Sequence, residues 1–361
     1  MTSINPQNER IKKAYFIYLK EANQKAETTI DAIRKAILRL EEYTNFKPFK
    51  SFNKEQAIAF KKCLTNTKGA RSGEPLSKAT ILSTLNAIKA FLGWLRFQPG
   101  FRSCIHKLDI DYLNLSEKET RAAKAAKTKT FPTLEQVRAA LFAMPYETNI
   151  EKRDRALLAF TILTGLRDSA ITSLKIKHID LSREYVNQDP TEVKTKFSKK
   201  IDTFFFPVGD DIRAVFTDWV AFLLKDKLYG MDTPLFPLTG LTHDESKSFT
   251  PSGLEPRHWS NATAIRKVFK QAFERVNLPN FTPHRFRDTL AHLGQQKCTT
   301  PEQYKAWSQN LGHENVLTTF TSYGTIEPHR QGEVIKGLGS KEHEQDDMKE
   351  ILSRLKVIQG E

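Results

Sequence analysis

The sequence predicts a mostly α-helical protein with a small β-sheet, an α+β chain made of two domains. Three observations carry this. Apolar residues up to Leu115 recur at helical spacing with no strand-like alternation; alternation is confined to residues 182–208; and helical periodicity returns after Asp210. A length of 361 residues suits two domains of roughly 100–200 residues each.

Residues 14–43 read as one helix, with Ile30, Ile33, Ile37 and Leu40 on its apolar face and Thr28 or Thr29 as an inner cap. A second helix starts at Asn53, where Gln56 stands as capping-box partner, and a third runs from Ser77 to Leu95 on Ile81, Leu85, Ile88, Leu92 and Leu95. A short helix near Asp109–Leu115 closes this unit, residues 1–115. Residues 116–130 carry Lys118, Arg121, Lys124, Lys127 and Lys129 among small residues. They read as a basic linker or a solvated helical extension. From Phe131 the pattern changes. Thr133–Ala143 and Lys152–Thr164 read as helices, the second ending at Gly165; Asp189–Pro190 marks a turn between strands, and Ile201–Phe206 is extended. Helices follow at 212–224, 260–276, 283–296 and 301–310, with Pro283 and Pro301 in first-turn positions. The expected second domain spans residues 131–340, and 341–361 form a helical tail with Met348, Ile351, Leu352, Leu355 and Ile358 on one face.

Composition narrows the function. Lys and Arg total 56 against 42 acidic residues, a net charge of +14, which points to a polyanionic partner. No apolar run approaches the ~18 residues of a membrane span, and no signal core opens the chain, so a cytoplasmic protein without a membrane partner is expected. Cys63, Cys104 and Cys298 lie too far apart for a disulfide framework or a zinc knuckle. No acidic cluster or phosphate-binding Gly loop calls for a metal or a nucleotide, and no cofactor is expected.

Three segments carry chemistry: Leu163-Thr-Gly-Leu-Arg167, Thr282-Pro-His284-Arg-Phe-Arg287, and Leu311-Gly-His313 followed by Tyr323. Singly, each has a plain reading: a charge at a helix terminus, a surface polar pair, a capping histidine, a half-buried core tyrosine. Together and in this order, over about Phe131–Thr325, they resemble the tyrosine recombinase (phage integrase) family. The resemblance implies a site-specific recombinase that cuts and rejoins duplex DNA through a 3′-phosphotyrosine intermediate, integrating or excising a mobile element or prophage. A chromosome-dimer resolvase would run the same chemistry, and a catalytically silent DNA-binding protein could keep the same fold. It also implies an N-terminal core-binding domain, a catalytic domain, and a clamp of the two around DNA. Four protomers would assemble on paired sites, from a monomer or weak oligomer without DNA. There is room for an accessory DNA-bending protein, and the tail would dock on a neighbouring protomer.

Within that resemblance Arg167 and Arg287 would clamp the phosphoryl oxygens with forked, permanently charged donors. His284 and His313 would donate hydrogen bonds or move protons. Tyr323 would be the nucleophile, its phenol (ordinary pKa about 10) activated by neighbouring cations. A hairpin lysine would protonate the leaving 5′ oxygen: Lys196 first, Lys194 otherwise, in a run that also holds Lys199 and Lys200. Two positions depart from the family. Ala170 stands where a carboxylate is usual, leaving Asp168, a residue from elsewhere or nothing to support Arg167. Ser322 stands where the tyrosine is commonest, one residue before Tyr323. For DNA binding, the basic residues Lys61, Lys68, Arg71, Lys78, Lys124, Lys127 and Lys194 are expected to position the phosphates, with no base reading assigned.

Overall fold

The computed structural model describes residues 4–69, 73–125, 130–195, 198–243, 249–313, 332–333 and 335–336. The chain divides into two compact units, Met1–Ala126 and Lys127–Glu361.

The regular elements of the first unit's described part are helices, with one isolated bridge between Lys68 and Pro75. α1 (Pro6–Ile17) starts on Asn5, whose side chain accepts from the backbone of Gln7 and Asn8, with Pro6 in the first turn where a missing N–H costs nothing. The single helix expected over 14–43 does not form. α1 widens into a π-helical turn at Tyr18–Ala22, Gln24 turns at φ +49°, and α2 (Glu27–Tyr43) begins afresh from Ala26. Local composition favours a helix here; packing overrides it. Tyr15 and Leu19 are buried, with the Tyr15 ring 5.1 Å from Phe91 and 4.9 Å from Trp94, while α2 buries Ile30, Ile37 and Leu40 on its own line. No single straight axis serves both faces.

α3 (Lys54–Asn66) and α4 (Lys78–Leu95) begin where the sequence places them, capped by Asn53 and Ser77. The next helix is shorter and earlier than expected, α5 (Lys107–Asp111). The stretch read as a linker opens with α6 (Glu117–Lys124), fixed by a reciprocal Ser116–Glu119 capping box and burying no side chain, so the solvated helical reading holds there. One buried polar knot ties this unit together. Asn8 and Glu41 are both 0% exposed. The Asn8 amide donates to Glu41 (3.1 Å) and to the Lys47 carbonyl (3.1 Å), accepts from Phe49 N–H (3.1 Å), and Lys12 pairs with the other Glu41 oxygen at 2.6 Å.

The second unit begins with α7 (Leu134–Phe142) and α8 (Asn149–Thr164), each opened by a capping box, Thr133–Gln136 and Thr148–Glu151. α8 is buried on every side from Ala156 to Thr164, as its near-continuous apolar sequence requires. After the short α9 (Asp168–Ile171), strands β1 (Ile179–Asp180), β2 (Tyr185–Gln188) and β3 (Ile201–Phe204) form an antiparallel sheet in the order 1-2-3, with Gln188 opposite Ile201. α10 (Asp210–Lys225) lies on α8, and Phe160 meets Phe216 at 4.7 Å. A second hairpin, β4 (Leu238–His243) and β5 (Phe249–Glu255), was not expected from the sequence. Gly240, Pro251 and Gly253 punctuate it like a turn; in the structure they accommodate a register shift at Gly240/Leu241. α11 (Thr263–Glu274), α12 (Pro283–Lys297) and α13 (Pro301–Asn310) complete the core through Phe269, Phe273 and Phe286. The expected tail helix lies outside the described residues. No helix among the described residues is long and apolar enough to cross a membrane.

Asn8→Ala would strand Glu41, the Phe49 N–H and the Lys47 carbonyl without that partner inside the core. The substitution is expected to cost about 2–4 kcal/mol in the chemical denaturation of the N-terminal unit. A loss under about 0.5 kcal/mol, the usual size for a surface change, would mean the knot carries no stability.

Candidate active site

Two helix ends and one helix face build the site. α8 stops at Gly165, which adopts φ +60° as its C-cap; Leu166 and Arg167 leave the helix, and Arg167 becomes the N-cap of α9. α13 stops in the same manner. Gly312 N–H donates to the Gln309 carbonyl (2.7 Å) and His313 N–H to the Ser308 carbonyl (3.1 Å), with Gly312 at φ +69°. This pair of hydrogen bonds is a Schellman cap, and it makes His313 the residue whose direction the cap sets. Between these ends runs α12, carrying His284 and Arg287 on its first turns.

Arg287 joins the segments. It is 5% exposed, and its guanidinium donates to the carbonyls of Gly165 (2.5 Å) and Leu311 (2.6 Å) and to His313 Nε2 (2.7 Å). Accepting that bond leaves the imidazole proton on Nδ1. The approach is close: a Cβ on Gly165 would lie 2.8 Å from both Leu290 Cδ1 and Leu311 Cδ2. Burial pushes the Arg287 pKa down to about 9, and the charge of Arg167 pushes the same way. Arg167 is half-buried, and burial lowers its pKa as well. Two cations in a desolvated corner repel each other, and an anion between them would relieve both costs.

The structure brings Arg167, Arg287 and His313 together and keeps His284 exposed on the first turn of α12. Asp168 does not turn to Arg167; it pairs with Arg266 on α11 at 2.7 Å. Ala170, at the position where a carboxylate was missed, is buried in the core. Lys194 lies exposed on the β2–β3 loop, its N–H held by Ser173 Oγ at 2.9 Å, and Ser173 Oγ in turn donates to the Ala170 carbonyl at 2.9 Å. The loop before it is fixed too. Glu192 pairs with Lys175 (3.0 Å) and Lys177 (2.9 Å), and these two hydrogen bonds hold its carboxyl below the usual range. Lys196 and Tyr323 lie outside the described residues. Sequence reasoning missed Ser173 and Asn310, which hold backbone and carry no motif; only their tertiary partners reveal them.

In the N-terminal unit, Lys68, Lys78 and Lys124 are exposed, whereas Lys61 donates to the Asn114 carbonyl at 2.8 Å. Arg71 and Lys127 lie outside the described residues. Among the described residues no group of three or more His, Cys, Asp or Glu is arranged to hold a metal ion.

The phage integrase family matches residues 131–329, which contain all three helix ends and faces of this site. The chain belongs to that family and is a tyrosine recombinase. It is 24% identical over 311 residues to tyrosine recombinase XerC of Pseudomonas putida, covering 86% of this chain and 90% of the relative. XerC of Pseudomonas syringae pv. tomato is 25% identical over 307 residues, 85% and 88% of the two chains. Among solved structures, a lambda integrase dimer bound to a COC′ core site matches with TM-score 0.60 at 13% identity, covering 89% of this chain and 96% of that one. The XerH site-specific recombinase bound to a palindromic difH substrate matches with TM-score 0.60 at 18% identity, covering 93% and 90%. At these identities the structural likeness is one of fold.

Two outcomes follow from the geometry. Gly165→Ala forces a left-handed backbone onto an L residue and drives its Cβ into two leucines, so it should destabilise by about 2–4 kcal/mol. Gly312→Ala, whose Cβ would meet Ile201 Cδ1 at 3.0 Å, should cost less, and the reverse order in denaturation would contradict this packing. Sulfate should raise the thermal midpoint of the wild-type protein, because a bound anion offsets the repulsion between Arg167 and Arg287. Arg167→Ala should lose most of that effect; a sulfate effect unchanged in that variant would place the anion elsewhere.

Proposed function

We propose that this recombinase cleaves and rejoins duplex DNA through a covalent 3′-phosphotyrosine, with Tyr323 as the nucleophile. The pair of buried Arg287 and half-buried Arg167 carries the reading: a shared, desolvated positive corner, linked to an imidazole, suits a phosphodiester whose charge grows on attack. The structural neighbours, a lambda integrase and a XerH each bound to DNA, support duplex DNA as the substrate.

In this scheme the phenol oxygen of Tyr323 attacks phosphorus and the bond to the 5′ oxygen breaks. Arg167 and Arg287 hold the non-bridging oxygens, and His284 and His313 complete the hydrogen bonding or carry the phenolic proton away. A loop lysine gives its proton to the departing 5′ oxygen. Lys196 is the first candidate and Lys194 the second; the Ser173 hydroxyl anchors the backbone of this loop at Lys194. Religation is the reverse, with a 5′ hydroxyl attacking the phosphotyrosine, so no energy source is consumed. Lys61, Lys68, Arg71, Lys78, Lys124 and Lys127 supply phosphate contacts that position the duplex.

The biological role proposed is integration or excision of a mobile element, with four protomers exchanging strands on paired sites. The lysine-rich hairpin and the His313–Tyr323 spacing favour a mobile element over a resolvase acting on a fixed host site. Attachment-site repeats flanking the gene would mark the element.

A nicked suicide duplex tests the chemistry. Wild-type protein should accumulate a covalent protein–DNA adduct, and Tyr323→Phe should abolish it while retaining duplex binding. An adduct that persists in Tyr323→Phe would remove this nucleophile, and no adduct with wild type on any cognate duplex would leave a DNA-binding protein without the reaction.

A further inference from the structure

The turn that carries His313 is held from outside by a side chain that belongs to no motif. Asn310 is the last residue of α13, and it lies beside β3, the edge strand of the three-stranded sheet. Its Oδ1 accepts from Phe204 N–H at 2.7 Å, and its Nδ2 donates to the Phe204 carbonyl at 2.9 Å. An edge residue presents its N–H and C=O on the same side, and a carboxamide offers acceptor and donor at the matching spacing, so Asn310 replaces the neighbouring strand that β3 lacks. The Asn310 backbone is tied to the same strand: its carbonyl accepts from Thr203 Oγ1 at 3.3 Å, and buried Gln188 on β2 donates to that hydroxyl at 2.9 Å. Further along, Gly312 runs against Ile201 at the start of β3.

β3 therefore supports the whole turn from Asn310 to Gly312, immediately before the Leu311 carbonyl and the His313 ring that receive Arg287. The same strand ends the loop that carries Lys194. We propose that Asn310 is a positioning residue for strand cleavage: its amide clasp on Phe204 fixes the turn that presents His313 to Arg287 and the scissile phosphate. The inference rests on the roles proposed above for His313 and Arg287. A hydrophobic residue at this position would keep the helix but lose both bonds, and Gln would carry its amide one methylene too far.

A double-mutant cycle on the suicide duplex separates positioning from general support of the fold. Asn310→Ala should slow single-turnover cleavage by about 10- to 100-fold, the scale of a displaced catalytic group, with the duplex dissociation constant unchanged. Because Asn310 acts through His313, the double variant Asn310→Ala/His313→Ala should cleave no more slowly than His313→Ala alone. Losses that multiply, or a wild-type rate in Asn310→Ala, would overturn the proposal. A His313→Ala protein that cleaves like wild type would remove the role of His313 and this inference with it, whereas the role of Tyr323 is judged separately by adduct formation in Tyr323→Phe. If Asn310→Ala fails to fold, Asn310→Asp takes its place. It keeps the acceptor and regains a donor only when protonated, so its rate relative to wild type at the same pH should rise as pH falls. A ratio that stays flat would overturn the proposal.

Discussion

One guanidinium holds the catalytic half of this protein in register. Arg287 comes from α12, yet its partners are the carbonyl that ends α8, the carbonyl that ends α13 and the imidazole just beyond it. Only an arginine reaches three acceptors from one buried position and stays charged while doing so. The cost is real: burial and the nearby Arg167 both disfavour that charge. Such a corner is stable only because the carbonyl dipoles of two helix ends point into it, since those are the orphan acceptors that every helix C-terminus leaves behind.

The rest of the unit arranges those two helix ends. Both α8 and α13 stop on a glycine in the left-handed region; a Cβ would collide with two leucines at Gly165 and press tightly on Ile201 at Gly312. α8 can enter the core because it is apolar on every face, and its C-terminus therefore emerges at the centre of the domain. The three-stranded sheet works from the other side. β3 props the turn before His313 through Asn310, while the loop between β2 and β3 is fastened to the end of α9 through Ser173. Arginine, histidine and lysine thus share two supports, a helix cap and a sheet edge.

The sequence was legible wherever a local rule acts alone. Capping residues at Asn53, Ser77 and Thr133 start helices where they stand, because a side-chain oxygen satisfies amides a few residues away whatever the tertiary fold. It misled where packing outweighed propensity. The break between α1 and α2 falls in a run of good helix formers, since Tyr15 packs on Phe91 and Trp94 while α2 buries Ile30, Ile37 and Leu40 on its own line. The β4–β5 hairpin was hidden by Gly240, Pro251 and Gly253, which signal turns but serve a bulged ribbon.

The amino-acid order carried the family resemblance. Two arginines, two histidines and a tyrosine, in order and near helix-end signals, are covalent facts that no folding changes. The tertiary structure alone decided which of them share a charge environment, that Asp168 serves Arg266 rather than Arg167, and that Asn310 and Ser173 hold the backbone of the site. The physical reason is range. Caps and periodicity act over a few residues, whereas a buried guanidinium or an edge-strand amide finds its partners across more than a hundred residues of chain, as Arg287 with Gly165 and Asn310 with Phe204 do.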